Sequence, residues 1–330
     1  MNQEEFARSL TRAASRHLGG PTRIEDLRPL SGGASAETWH FDALCGDERH
    51  ELILRLSPPG GKKDKVRLDR QTEARLLKAA EQCGVPVPPI LFILDEDDGI
   101  GPGYAMQRVE GETIAQKILR GDEYAGARDM MARQCGTILT GIHAVDTDLL
   151  PPLKKQAAEA GVKQLYAFYD AFGEKHPVFE FALRWLVDNV PGGTELRLVH
   201  GDFRNGNFIV GPEGIRSVLD WELAHLGDPM EDLGWLCVNS WRFGNIDKPV
   251  GGFGTREDLF AGYEEAGGMP VDPVSVHFWE VYGTLKWGIV CIVQAFTHLM
   301  GAKRSVELAA IGRRTSETEI DLLNLLKERK

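Results

Sequence analysis

The chain has 330 residues, 42% of them apolar and 26% charged, a balance that suits a folded globular protein and excludes a disordered one. Lys and Arg total 38 against 49 Asp and Glu, and the resulting net charge of −11 argues against nucleic acid and against an anionic membrane as partners. Five dispersed cysteines without a C-x-x-C pair, a polar start (MNQEEFARSL) and the lack of a bilayer-length apolar run together predict a cytoplasmic protein with reduced thiols.

Residues 4–18 carry the spacing of an amphipathic helix, stopped by Gly19-Gly20-Pro21. Strand patterns follow at 24–30, at 36–42 and at 51–56. The second is entered through Ser31-Gly32-Gly33, and the third ends on Pro58-Pro59-Gly60-Gly61. Leu68, Ala74, Leu76, Leu77 and Ala80 predict a helix over 67–82. The proline-rich run 85–89 cannot be helix interior. A strand pair is expected at 90–94 and 104–109, split by an acidic, glycine-containing turn.

After Gly111 the pattern turns helical, with helices predicted at 112–120, 126–145, 154–171 and 177–189. Short strands return at 196–199, paired with 208–210, and at 217–220. From residue 230 the chain reads as helix again, apart from a loop at 243–255. A β-rich first third before a mainly helical remainder is an α+β arrangement, not alternating βαβ units. The expected boundary is Glu110-Gly111, dividing the chain into 1–110 and 111–330.

The stretch LVHGDFRNGNFIV, residues 198–210, places many polar side chains between apolar ends. Asn and Asp capping the turns of a polar loop would account for part of it. The spacing argues for more. Asp202 and Asn207 form a D-x-x-x-x-N, and Asp220 follows in Val-Leu-Asp-Trp-Glu, so both acids come just after strand-like runs. Phosphoryl transfer needs a carboxylate to orient or deprotonate a hydroxyl, and a carboxylate with an amide oxygen to hold Mg2+. Asp202 fits the first role, and Asn207 and Asp220 the second.

On these residues the chain resembles the aminoglycoside phosphotransferase (APH) family, the small-molecule branch of the protein-kinase-like fold. His200-Gly201-Asp202 resembles its catalytic-loop motif, and Asp220-Trp221-Glu222 its metal-binding segment. GDPMEDLGWL, residues 227–236, is similar to the phosphotransferases related to the N-terminal kinase domains of acyl-CoA dehydrogenase fusion proteins. The resemblance implies two lobes, a small β-rich nucleotide lobe (1–110) and a larger helical catalytic and acceptor lobe (111–330). It implies ATP, with GTP as the other candidate nucleotide, Mg2+, and a small hydroxylated acceptor.

It also implies roles upstream. Ser31, Gly32, Gly33, Ala34 and Ser35 would form the turn over the phosphates, although an ordinary hairpin turn reads the same. Arg55 stands where these kinases usually carry Lys, and Glu73 is its expected helix partner; a solvated strand end is the other reading of Arg55. Met106 would flank the adenine pocket, with the Gln107 carbonyl and the Val109 N–H facing the base. Arg204, two residues past Asp202, would approach the transferred phosphate or instead bind Asp232 or a backbone carbonyl. Asp232 is expected to brace the catalytic loop, Asp228 to cap a turn, and His200 to serve structure. Phe278, Trp279, Tyr282 and Trp287 lie at helical spacing, as core or as the wall of an apolar acceptor pocket.

The expected activity is therefore an ATP- and Mg2+-dependent phosphotransferase acting on an aminoglycoside-like or hydroxyacyl-type alcohol. The alternative is a catalytically inactive nucleotide-binding regulator, which Arg55 alone supports and the complete Asp202–Asn207–Asp220 set opposes. Oligomeric state is not legible in the sequence.

Overall fold

The computed structural model describes residues 2–30, 37–57 and 67–327. Ser31, Gly32, Gly33, Ala34 and Ser35, expected to form the turn over the phosphates, lie outside the described residues.

Helix α1 (Gln3–His17) opens on a capping box, in which the Asn2 side chain and Glu5 satisfy each other's end of the first turn. Its apolar stripe, Phe6, Leu10, Ala13 and Ala14, packs on one face of a five-stranded sheet. The strands are β1 (Thr22–Pro29), β2 (Glu37–Cys45), β3 (Glu48–Leu56), β4 (Ile90–Ile93) and β5 (Gly103–Gln107), in the order β1-β2-β3-β5-β4. All four pairings are antiparallel. The period of two along a strand then divides the residues. Leu52, Leu54 and Ala105 face α1. Ile53, Arg55, Tyr104 and Met106 take the other face, where α2 (Arg70–Gln82) lies, capped by Asp69.

Helices dominate the rest: α3 (Ala115–Arg120), α4 (Ala125–His143), α5 (Ala158–Phe172) and α6 (Pro177–Asp188). Four short strands follow, β6 (Arg197–Val199), β7 (Phe208–Gly211), β8 (Gly214–Val218) and β9 (His225–Gly227). The chain ends through α7 (Met230–Cys237), α8 (Arg256–Glu265), α9 (Pro273–Leu299), α10 (Val306–Gly312) and α11 (Thr315–Lys327). This is the α+β architecture that the segregated patterns predict, and the protein-kinase-like one that the resemblance implies. Phe278, Trp279 and Tyr282 of α9 are buried in the core. Among the described residues no helix is long and apolar enough to cross a membrane.

The predicted pairing of 196–199 with 208–210 is corrected. β6 pairs antiparallel with β9, a strand that the sequence pattern did not reveal, and β7 pairs with β8. With β6 held to β9, the 200–207 stretch runs as a largely buried loop between β6 and β7. Sheet and helices meet through backbone contacts as well as apolar packing: Leu68 N–H donates to Glu222 O, Val218 N–H to Pro86 O, and Glu112 bridges Val210.

Candidate active site

The loop after β6 is built from the backbone outward. Gly201 has φ of +76°, and a Cβ there would lie 2.5 Å from the Leu223 carbonyl oxygen, so only glycine serves. The fully buried Asp232 of α7 accepts the His200 N–H at 2.8 Å and the Gly201 N–H at 2.9 Å. Burial alone would raise the Asp232 pKa, but hydrogen bonds from the His143 side chain and the His200 N–H hold it below the ordinary carboxylate value. This is the bracing role expected of Asp232. Asp228, also as expected, caps a turn by accepting the Met230 N–H.

His200 is fully buried, with Nε2 3.0 Å from the Leu219 carbonyl and Nδ1 accepting the Asp202 N–H at 3.2 Å. Burial pushes its pKa below the ordinary histidine value, in keeping with a neutral ring that donates through Nε2. It thereby ties the Asp202 loop to the residue before Asp220. A second tie is the Leu219 N–H donating to the Asn207 carbonyl at 2.8 Å.

Asp202 is 18% exposed and takes three side-chain donors. Asn207 Nδ2 donates to Oδ2 at 2.7 Å, while Arg204 Nε, at 3.1 Å, and Trp235 Nε1, at 2.9 Å, donate to Oδ1. Arg204 also donates to the Asn205 carbonyl at 3.2 Å and stacks over Trp241. Of its two expected alternatives, the backbone-carbonyl contact is present, and its carboxylate partner is Asp202 in place of Asp232.

Asp220 holds a left-handed backbone conformation, φ 61° and ψ 60°, uncommon for a residue with a Cβ. Its side chain, 47% exposed, meets Arg55 Nη1 at 2.9 Å. The same Nη1 lies 3.5 Å from Glu73 Oε1, whose other carboxylate oxygen accepts from Arg70. Glu73 thus serves two arginines, not Arg55 alone. Burial pulls the Arg55 pKa down, yet Glu73, Tyr104 and Asp220 outweigh it, so the guanidinium stays charged. Arg67 and Arg70 both engage Glu222, docking the start of α2 onto the Asp220-Trp221-Glu222 segment.

Met106 is buried on the sheet face that carries Arg55 and Tyr104. Gln107 is exposed and its N–H donates to the Pro89 carbonyl, while Val109 is half-buried just past β5. The fold thus draws Asp202, Arg204, Asn207, Asp220, Arg55 and Glu73 together. Trp235 and Lys286 had no role in the sequence reading. Trp235 lies three residues beyond Asp232 on α7, so helical spacing placed both on the face toward the loop. Lys286, whose Nζ is 3.4 Å from the Gly201 carbonyl, had no such local signal.

An antiparallel five-stranded sheet over a helical lobe, with an acid–amide–acid set where they meet, defines a protein-kinase-like phosphotransferase fold. The model of the Phosphotransferase enzyme family (APH) matches residues 26–268, and the chain belongs to that family. Mouse (Mus musculus) acyl-CoA dehydrogenase family member 10 is 33% identical over 247 residues, 72% of this chain and 22% of that protein. The chain spans less than a third of the length of the curated relatives it matches first. Among solved structures, a Ralstonia eutropha protein assigned as an aminoglycoside phosphotransferase has a TM-score of 0.76 at 20% identity, covering 98% of both chains. Spectinomycin phosphotransferase APH(9)-Ia, in complex with ADP and spectinomycin, has a TM-score of 0.62 at 14% identity, covering 96% of this chain and 98% of that one.

Proposed function

We propose that the protein transfers the γ-phosphate of ATP to a hydroxyl of a small molecule and requires Mg2+. The observation that carries this reading is the Asp202–Asn207–Asp220 set at the seam between sheet and helices, with Arg55 reaching it from the sheet. Family membership supports the reaction class, and the ADP in the spectinomycin phosphotransferase complex supports the nucleotide.

The donor chemistry fits a hard divalent ion. Asn207 Nδ2 is committed to Asp202, which leaves Oδ1 as its ligand atom, and Asp220 meets Arg55 through one carboxylate oxygen. Asn207 and Asp220 would hold Mg2+, which supplies neutralising charge beside the nucleotide phosphates when bound. Asp202 orients the acceptor hydroxyl and takes its proton on a carboxylate oxygen. Arg204, pinned between Asp202 and the Trp241 ring, offers its guanidinium to the charge that grows on the transferred group.

Arg55, steadied by Glu73, holds the nucleotide phosphates from above, and Ser31, Gly32, Gly33, Ala34 and Ser35 cover them. Met106, the Gln107 carbonyl and the Val109 N–H frame the base. In this reading residues 1–110 are the nucleotide lobe and residues 111–330 the catalytic and acceptor lobe, working in the cytoplasm. The test is ADP release from ATP or GTP over a panel of hydroxylated small molecules, with and without Mg2+, for wild type and Asp202→Asn. Mg2+-dependent release that the variant loses is the expected result. Nucleotide binding without release from any acceptor would favour the inactive regulator instead.

A further inference from the structure

Around the five-stranded sheet, two groups of His and Asp side chains share no residue with the Asp202 loop: His17 with Asp95 and Asp98, and Asp26 with His40 and Asp42. In the first group a cation already sits among the acids. Arg16 Nη2 lies 2.6 Å from Asp95 and 2.8 Å from Asp98 Oδ1. The second group has no such cation between its members.

His40 and Asp42 share one face of β2, since side chains two apart point the same way. Each is only 3% exposed. Asp26 joins them through a bulge in β1. Glu25 pairs with Asp42 and Arg28 with His40, so Asp26 and Leu27 together oppose Phe41. In a regular ladder Asp26 would share the face of Phe41, which packs with α1. At the bulge Asp26 takes φ +47°, a left-handed conformation that Asp adopts more readily than most residues. Its Oδ2 comes to 3.0 Å from His40 Nε2.

Asp42 contributes the unsatisfied atom. Its Oδ2 accepts from Arg49 at 2.5 Å. Its Oδ1 is buried with no hydrogen-bond donor among the described residues, 3.9 Å from His40 Nε2. A buried carboxylate oxygen left bare is costly, and a cation supplies what it lacks. Arg28, half exposed, stands 3.3 Å from Asp26 Oδ2 and comes within 4.0 Å of neither oxygen of Asp42.

We infer that Asp26, His40 and Asp42 form a Zn2+ site that clips β1 to β2, separate from Asn207 and Asp220. The donor set selects the ion. Mg2+ and Ca2+ take oxygen ligands, whereas an imidazole nitrogen with carboxylates suits Zn2+. With bonds of about 2.0–2.2 Å, the donors of a tetrahedral Zn2+ stand about 3.4 Å apart. The spacings of 3.0 Å and 3.9 Å fall on either side of that, and the three donor atoms lie within 4.8 Å of one another. His40 coordinates through Nε2 and keeps its proton on Nδ1. The ion enters from the side of Asp26, whose side chain is 54% exposed, and water completes its shell there. Because β1 and β2 flank residues 31–36, the clip fixes both ends of that segment.

Binding is read without turnover. The full chain, in excess Mg2+, is titrated with Zn2+ by calorimetry, and its melting temperature is followed. One tight equivalent and a rising melting temperature are expected. Co2+ in place of Zn2+ should give visible d–d absorption that His40→Gln removes. Loss of an outer partner of a metal ligand already costs about 10–100-fold in affinity. Asp26→Asn, which keeps a residue tolerant of the left-handed backbone, should therefore weaken Zn2+ binding about tenfold or more, and His40→Gln about 100-fold or more. The exposed Asp26 carries the test alone should His40→Gln not fold. A wild-type melting temperature that Zn2+ leaves unmoved, or Asp26→Asn binding as tightly as wild type, overturns the inference. So does Zn2+ binding that is lost in Asp220→Asn but kept in Asp26→Asn. Zn2+ bound as expected by a chain that releases no ADP counts against phosphotransfer and leaves this site standing.

Discussion

The Arg55 guanidinium stands 2.9 Å from Asp220 and 3.5 Å from Glu73, so one cation on the sheet joins the buried acid of α2 to the half-exposed acid beyond β8. It couples the sheet to the segment that carries Asp220. Arg55→Met should cost about 3 kcal/mol, the low end for stranding a buried charge, because Arg70 still holds Glu73. Arg55→Lys keeps the charge on a single-point head and should recover only part of the loss. Urea unfolding measures the stability, and thermal shift with ATP the nucleotide contact. Wild-type stability in Arg55→Met would show that the bridge is incidental.

Asp202→Asn should lower turnover by about 10²–10⁴-fold, the range of a general-base contribution. Nucleotide affinity should stay near that of wild type, because Arg55 and Asp220 are untouched. Steady-state ADP release at saturating acceptor, paired with ATP titration by calorimetry, checks both halves. Undiminished turnover rejects the assignment.

Trp235→Phe keeps the ring beneath Lys286 but removes the N–H on Asp202. A fall of about tenfold in kcat with an unchanged KM for ATP is expected, as for a contact that aims the reacting group. A change confined to the ATP KM would place Trp235 elsewhere in the mechanism.

Asp232→Asn leaves at most one oxygen for the His200 and Gly201 N–H groups and turns a donor toward the other. The loss of stability should be about 1–3 kcal/mol, the cost of a buried N–H without an acceptor. Turnover should fall with it as the loop relaxes. Chemical denaturation followed by tryptophan emission reports the first effect and ADP release the second.

Acid should loosen the catalytic loop through His200. Its folded pKa is depressed by burial, so the unfolded chain takes up the proton first. The stability that the neutral ring contributes is whole above its unfolded value, about 6.5, and is lost as pH falls through the folded value. Protonation also removes the Nδ1 acceptor from the Asp202 N–H. The melting-temperature gap between wild type and His200→Gln should therefore narrow from about pH 7.5 to about pH 5. A gap that widens on acidification would mean that the ring is charged in the fold.

The spacing of Asp202, Asn207 and Asp220, the β-to-helix shift after Gly111 and the brace at Asp232 were legible in the chain. Each is a local pattern, set by strand ends, by a tight glycine turn or by one helical repeat. The β6–β9 pairing, the sharing of Glu73 between Arg55 and Arg70, and the approach of Lys286 to Gly201 were not. Lys286 lies 85 positions from Gly201 along the chain, and nothing periodic connects them. Sequence by itself determined the polar spacing of the candidate site, because turn and strand signals act over a few residues. Only the tertiary structure decided what faces them, because packing α7 and α9 against the loop is set by apolar burial summed over the whole core.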